Sequence, residues 1–405
     1  MASVTPRMQW ATTLSRRADA RHAVAEAAES ILDTLGGPPD LVLMFVAASH
    51  APSYERILEA ANSVLPARCL LGCSAVGIIG AGVEVERSEA VSLVAARLPG
   101  VELFPFYLPG AQRVGGPVEP WAEVIGADPR EMGCYVLLAD PFSIEAESWL
   151  ERFDAACPSV PKVGGLLSGA DAPGDGALFH GERVYRNGLL GLGMRGNIEL
   201  SALVAQGCRP IGEPMIITSC KDSVIYELNT GTPVEALQKL YERLEPRDQE
   251  LCRHSLFVGI EMSDRSHRYG QGDFLIRDLA GMDPNGGAMA LQGRCRNYQV
   301  VQFHLRDART SAQDLEQRLR ALGDSPAAER ARGALLFSCL GRGRSLYGTP
   351  NHDTDAFLAA MGGLPAGGFF AGGEIGPVGG RTFLHGYTSV FGVFGTKQKD
   401  EDAPR

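Results

Sequence analysis

Three stretches of the chain repeat one order of apolar and polar positions. Each begins with a continuous apolar run, at 41–48, 134–139 and 334–338. Runs of this length without alternation predict strands covered on both faces. Apolar residues at helical spacing follow: Ile57, Leu58, Ala61, Val64 and Leu65, then Trp149, Leu150 and Phe153, then Phe357, Leu358 and Met361. Pro66 stops the first of these helices. A glycine-led cluster of small residues comes next each time. The clusters are Gly72-Cys73-Ser74-Ala75-Val76-Gly77-Ile78, Gly165-Leu166-Leu167-Ser168-Gly169-Ala170-Asp171 and Gly368-Phe369-Phe370-Ala371-Gly372-Gly373-Glu374. Thirty residues separate Val42 from Gly72, and thirty separate Tyr135 from Gly165. The third stretch is longer because Gly341-Arg342-Gly343-Arg344 and a loop to Asn351 intervene. A near-constant period is the mark of a repeated structural unit. Paired short strands complete each unit: 83–86 with 90–96, two flanking Gly181-Glu182, and 382–385 with 388–394. The expected fold is therefore α/β: mixed, buried sheets flanked by helices, from three strand–helix–cluster–hairpin units in two halves.

Between the second and third units the pattern changes. Strands are predicted over 199–205, 215–228 (turning at Lys221-Asp222), 255–261, 274–277, 288–291 and 299–305. Thr232-Pro233-Val234-Glu235 is a helix start, with a threonine cap, proline at the first position and a glutamate to complete a capping box. A further helix is predicted over 312–322. These patterns place one domain over 20–210 with two units and a second over 211–396 with the insertion and the third unit. The polar segment 397–405 is expected to be disordered. Arg7, Arg16, Arg17 and Arg21 resemble the start of a transit peptide, but Val24, Ala27, Ile31, Leu32 and Leu35 repeat at helical spacing into the first strand. An ordinary amphipathic helix is the expectation there.

Composition narrows the function. A net charge of −10 and a pI near 5.4 disfavour nucleic acid or an anionic membrane as partner. No apolar run reaches the eighteen or so residues of a membrane span. The nine cysteines form no CxxC pair and lie mostly in apolar stretches. They are expected to be reduced core thiols in the cytoplasm, with neither a metal nor a cofactor implied.

The stretches Ala334-Leu335-Leu336-Phe337-Ser338-Cys339-Leu340-Gly341-Arg342-Gly343 and Gly367-Gly368-Phe369-Phe370-Ala371-Gly372-Gly373-Glu374-Ile375-Gly376-Pro377 resemble the C-terminal half of the FIST domain family. Leu71-Gly72-Cys73-Ser74 is similar to its N-terminal half, and Gln206-Gly207-Cys208-Arg209-Pro210-Ile211-Gly212 to its junction segment. The resemblance spans roughly 35–395. It implies a sensory module that binds a small ligand, an amino acid or related metabolite, and passes its state to a signalling partner. One departure stands out: where the first cluster of the family commonly carries an acid after its last glycine, this chain has Ile78.

Several residues carry candidate chemistry. Strand ends in α/β sheets gather ligands at their carboxyl edge, and here they lead into Ser49-His50, Asp140-Pro141 and Ser338-Cys339. Arg342 and Arg344 on a glycine-rich loop could hold a carboxylate through paired hydrogen bonds, or stand as solvated charge. Glu374 lies in an apolar, small-residue segment and needs a cation: one of those arginines, or a ligand ammonium. The ligand-contact set is then Glu374, Arg342 and Arg344, the close-approach glycines Gly368, Gly372 and Gly373, and Cys73, Ser74 and Asp171 from the other clusters. His50, Asp140, His385 and Arg277 are rim candidates. No constellation specifies a reaction. Two rival readings remain: a hydrolase or amidase with Cys73 or Cys208 as nucleophile, and a protein-interaction scaffold without a ligand.

Overall fold

All three apolar runs become the first strand of a parallel pair in the computed structural model of the chain, which describes residues 7–110, 118–262 and 269–398. Leu41–Ala47 pairs with Cys69–Ala75, Cys134–Ala139 with Lys162–Leu166, and Ala331–Cys339 with Ala366–Ala371. Their side chains alternate between two cores. Leu41, Leu43 and Phe45 join a central cluster with Val136, Leu138, Leu335 and Phe337, whereas Val42, Met44 and Val46 pack under the helices Ala20–Leu35 and Tyr54–Val64. Burial on both faces is why these runs lack alternation. The fold is mixed α/β, with sheets flanked by helices.

Among the described residues, three six-stranded sheets form around these pairs. The first runs Gln9–Ser15, Val91–Arg97, Leu41–Ala47, Cys69–Ala75, Leu178–His180, Arg183–Tyr185. The second runs Arg381–His385, Glu374–Val378, Lys162–Leu166, Cys134–Ala139, Leu189–Gly196, Val101–Leu108. The third runs Glu199–Gln206, Thr388–Gly395, Ala331–Cys339, Ala366–Ala371, Gly77–Gly80, Val83–Glu86. The strand that follows each cluster crosses into another sheet. Gly77–Gly80 leaves the first sheet for the third, pairing with Gly367, Gly368 and Phe369. Glu374–Val378 leaves the third for the second, pairing with Gly164 and Gly165. Leu178–His180 leaves the second for the first, pairing with Leu71, Gly72 and Cys73. This cyclic exchange brings the three clusters together.

Four details differ from the sequence expectations. Val83–Glu86 forms its hairpin with Gly77–Gly80 rather than with the strand after it. Ala81 and Gly82, at φ 49° and 77°, make the two-residue left-handed turn that suits a hairpin. Val91–Arg97 instead sits between Leu41–Ala47 and Gln9–Ser15, a strand that the sequence reading did not anticipate. The strands Arg381–His385 and Thr388–Gly395 enter different sheets. Finally, the glycine that faces the neighbouring strand in the second pair is Gly164, one residue before the Gly165 from which that cluster was counted. A Cβ on Gly72 would lie 1.9 Å from Met44 O; on Gly164, 1.8 Å from Leu137 O; and on Gly368, 1.8 Å from Leu336 O. Only glycine permits such an approach of two backbones.

The chain divides into two compact units, the first running to Val204 with Arg318–Leu384 and the residues from Ser389 onward. The second comprises Ala205–Gln317 and His385–Thr388. It is built on a closed barrel of six strands in the order Cys208–Lys221, Val224–Leu228, Met289–Leu291, Phe274–Met282, Leu256–Glu261, Val300–Arg306. Ile217, Ile225, Met289, Val301 and Leu305 are among the side chains of its core. The helix Pro233–Tyr241 carries the anticipated capping box between Thr232 and Glu235. At the amino end, Ala20–Leu35 is helical with Val24, Ala27, Ile31 and Leu35 buried. Of the tail expected to be disordered, residues 399–405 lie outside the described residues.

Candidate ligand site

The strand Ala331–Cys339 delivers Ser338 at its carboxyl end, and a turn closed by Arg342 N–H donating to Cys339 O (2.8 Å) follows. That turn folds Arg342 back into the protein, where it is fully buried. Its partner is Asp353, in the first turn of the helix His352–Met361. Arg342 Nε donates to Asp353 Oδ2 at 2.8 Å and Nη2 to Oδ1 at 3.0 Å, a two-pronged match of planar groups. Ser338 Oγ donates to the same Oδ2 at 2.9 Å, and Ser389 Oγ also donates there. His352 Nδ1 stands 3.2 Å from Oδ1. The Tyr347 ring stacks on His352 at 3.4 Å and lies beneath the Arg342 guanidinium.

The electrostatics follow from this geometry. Burial raises the Asp353 carboxyl, but the Arg342 guanidinium together with hydrogen bonds from His352, Arg342 and Ser389 outweighs it and holds the group well below the usual carboxylate range. Arg342 is held charged in turn: burial pulls it down, and the Asp353 carboxylate, with Tyr347 and Cys339 beside it, more than restores it. A second carboxyl adjoins the pair. Glu84, only 6% exposed, accepts from Thr354 N at 2.9 Å through Oε1. Its own backbone N donates to Asn351 Oδ1 at 2.8 Å. Among the described residues its Oε2 has no hydrogen-bond partner. Burial, with the negative Asp353 nearby, pushes Glu84 up to about 7.

The glycine clusters meet alongside. Ser168 Oγ accepts from Val76 N at 3.0 Å and donates to Phe370 O at 2.5 Å, so one hydroxyl from the second cluster ties the first to the third. Gly372 N donates to Leu166 O (3.0 Å), and Leu166 N donates to Gly373 O (2.8 Å). Gly368, Gly372 and Gly373 are thus positions of close backbone approach. Glu374, next along, opens its strand and is fully buried.

The other sequence candidates divide by environment. Arg344 is exposed, with its backbone N donating to Glu86 Oε1 at 3.0 Å. Asp171 is exposed on a turn whose backbone amides donate to Asp175. Ser74 is buried, and its Oγ accepts from Ala177 N. Cys73 is fully buried in the central core, and burial pushes its thiol well above the ordinary value. Cys208 is fully buried in the second unit. Neither setting supplies the exposed, electropositive surroundings of a thiolate nucleophile. His50 and Asp140 are buried at the ends of the other two first strands; burial lowers His50, while Asp140 accepts from Ser143 Oγ at 2.5 Å. His385 is buried and Arg277 partly so. Asp353, Ser389 and Glu84 were missed. An acid in the first turn of a helix signalled Asp353, whereas the Val83-Glu84-Val85-Glu86 alternation points Glu84 toward solvent.

A model described as the FIST N domain matches residues 40–230, and one described as the FIST C domain matches 234–377. The chain belongs to the FIST family. FIST domains are generally small-ligand-binding sensory domains of signalling proteins. An uncharacterized protein of Mycobacterium tuberculosis (strain H37Rv) is 36% identical to this FIST protein over 385 residues, covering 94% of this chain and 98% of the relative. Another, from Mycobacterium bovis, is 35% identical over 383 residues, covering 93% and 96%. An F-box/LRR-repeat protein of Arabidopsis thaliana is 34% identical over 106 residues, 23% of this chain and 20% of the plant protein. Among solved structures, a cyanuric acid hydrolase from A. caulinodans aligns over 96% of this chain and all of its own, at TM-score 0.34 and 8% identity, a likeness too low to bear on fold or function. Among the described residues no helix is long and apolar enough to cross a membrane.

Proposed function

We propose that this FIST protein senses an amino acid or closely related metabolite and passes its bound state to a signalling partner in the cytoplasm. The observation that carries this reading is the collection of fully buried ionisable side chains at adjacent strand ends: Arg342 and Asp353 after Ala331–Cys339, and Glu374 after Ala366–Ala371. Taking ionisable side chains out of water costs several kcal/mol each, and such groups gather at functional sites. A zwitterion offers both signs at once. In this reading Glu374 faces the ligand ammonium, and the Gly341–Arg344 loop, with Arg342 oriented by Asp353 and Arg344 exposed, supplies positive charge for its carboxylate. Gly368 and Gly372 shape the floor by letting backbones approach, and Gly373 by making room for the Leu166 and Leu384 side chains. A reducing compartment suits the nine free cysteines.

Thermal unfolding of the full chain against the amino acids and related metabolites tests the proposal. A ligand at about a hundred times its dissociation constant adds roughly 2.7 kcal/mol, which appears as a rise in melting temperature. Glu374→Gln, which keeps the shape and removes the charge, is expected to reduce that rise by about 1.5–3 kcal/mol of binding. Silence across the library with folded protein, or an undiminished response in Glu374→Gln, overturns the reading.

A further inference from the structure

A cavity of about 260 Å³ opens in the first unit, with Thr354, the neighbour of Asp353, in its wall. Its walls come from the strand Gln9–Ser15 through Trp10 and Thr12, from the helix His352–Met361 through Phe357 and Leu358, and from Leu364 in the loop that follows. Thr34, on the exposed face of the helix Ala20–Leu35, stands at its rim. No charged side chain is among the residues that line it. Two of its three hydroxyls have their protons committed, Thr34 Oγ1 donating to Ser30 O at 2.8 Å and Thr354 Oγ1 to Asn351 O at 3.1 Å, while Thr12 Oγ1 accepts from Ala81 N at 3.4 Å. Trp10 is held rigidly, 5% exposed and stacked on Phe394 with ring centroids 5.0 Å apart.

We propose that this cavity is a binding site for a small, uncharged, aromatic molecule, separate from the site assigned above to an amino acid. Volume sets the size of the ligand. An apolar cavity of about 150 Å³ accommodates a single benzene ring, so about 260 Å³ has room for a fused pair of rings. The wall sets the polarity. A carboxylate or ammonium entering here would lose its water and find no counter-charge, a cost of several kcal/mol, whereas an aromatic ring meets Trp10, Phe357 and three leucines. The same helix that presents Phe357 begins with Asp353 and Thr354, so the ligand would rest on the element that also holds Arg342.

Indole is the probe, titrated into the full-length chain with the indole N–H signals of Trp10, Trp121 and Trp149 followed by ¹⁵N NMR and assigned through Trp10→Phe. The Trp10 signal is expected to move saturably while those of Trp121 and Trp149 stay. Thr34→Phe at the rim and Leu364→Phe in the wall each narrow the cavity, and each is expected to weaken indole binding by roughly tenfold or more. Free tryptophan, the same rings carrying both charges, is expected to bind at least roughly tenfold more weakly than indole at Trp10. The proposal is overturned if Trp10 shows no saturable shift, if both narrowed variants bind indole like the parent, or if tryptophan matches indole. Glu374→Gln is expected to leave the indole response unchanged, so that this outcome is read independently of the amino-acid proposal.

Discussion

Arg342 and Asp353 form a fully buried, two-pronged ion pair that fastens the end of a central strand to the first turn of the helix His352–Met361. Ser338 and Ser389 complete the carboxylate's hydrogen bonding, so the pair is satisfied as a set rather than as two isolated charges. Removing one member leaves the other charged and dry. Asp353→Asn is therefore expected to lower stability by about 3–5 kcal/mol, and the double replacement Arg342→Met with Asp353→Leu by clearly less. Urea denaturation of the three proteins measures this. Equal losses in the single and double variants would show that packing, not charge, dominates the site.

Glu84 makes stability depend on pH near neutrality. Its carboxyl is pushed from 4.5 up to about 7 in the folded chain, first by burial and then by Asp353. The folded state binds the proton more tightly than the unfolded one, so this contribution is fully present below about pH 4.5 and is lost as pH rises through 7. Across that window it amounts to about 3 kcal/mol. Glu84→Gln is expected to flatten the decline of the denaturation midpoint between mildly acidic and mildly alkaline buffer. An unchanged slope in the variant would assign the pH dependence elsewhere.

Ser168 joins three chain segments through one oxygen. Ser168→Ala leaves Val76 N and Phe370 O without that partner, and a cost of about 1–3 kcal/mol is expected. Hydrogen exchange locates it: the Val76 amide should lose protection first. If that amide exchanges as slowly as before, the hydroxyl is not what holds the clusters together.

The facing glycines make a graded prediction. Gly72→Ala, Gly164→Ala and Gly368→Ala each drive a methyl into a carbonyl oxygen under 2 Å away, and soluble folded protein is not expected from any of them. Gly281→Ala meets nothing within 4 Å and should stay within about 0.5 kcal/mol of the parent. Superposing the three parallel pairs on these glycines tests the repeat itself: common origin requires the clusters after them to follow one backbone path.

Thiol labelling separates sensing from cysteine catalysis. With its thiol fully buried and pushed well above the ordinary range, Cys73 should resist iodoacetamide in the native chain at neutral pH and react only on unfolding. Preferential native labelling of Cys73 or Cys208 would restore the hydrolase reading.

The sequence alone determined the strands at 41–48, 134–139 and 334–338 to within a residue or a few at their ends, the helices after them, the Thr232 capping box and the family, because local period and burial are written into neighbouring residues. Continuous apolar runs state that a strand is covered on both faces, and the glycine clusters state that something comes close. Neither says what. Only the tertiary structure decided that Gly77–Gly80, Leu178–His180 and Glu374–Val378 each complete a different sheet, since an edge hydrogen bond needs a free edge and not a particular sequence. The same holds for register: Gly164 and Gly165 are indistinguishable in sequence, and the carbonyl of Leu137 chooses between them. It holds most strongly for charge. Glu374, Arg342 and Arg344 were legible as ionisable groups in apolar or glycine-rich settings, but the partner of Arg342 is Asp353, eleven residues on, and Glu84 turns inward against its own alternation. Coulomb energy depends on distance and dielectric, and both are properties of the folded arrangement rather than of the chain.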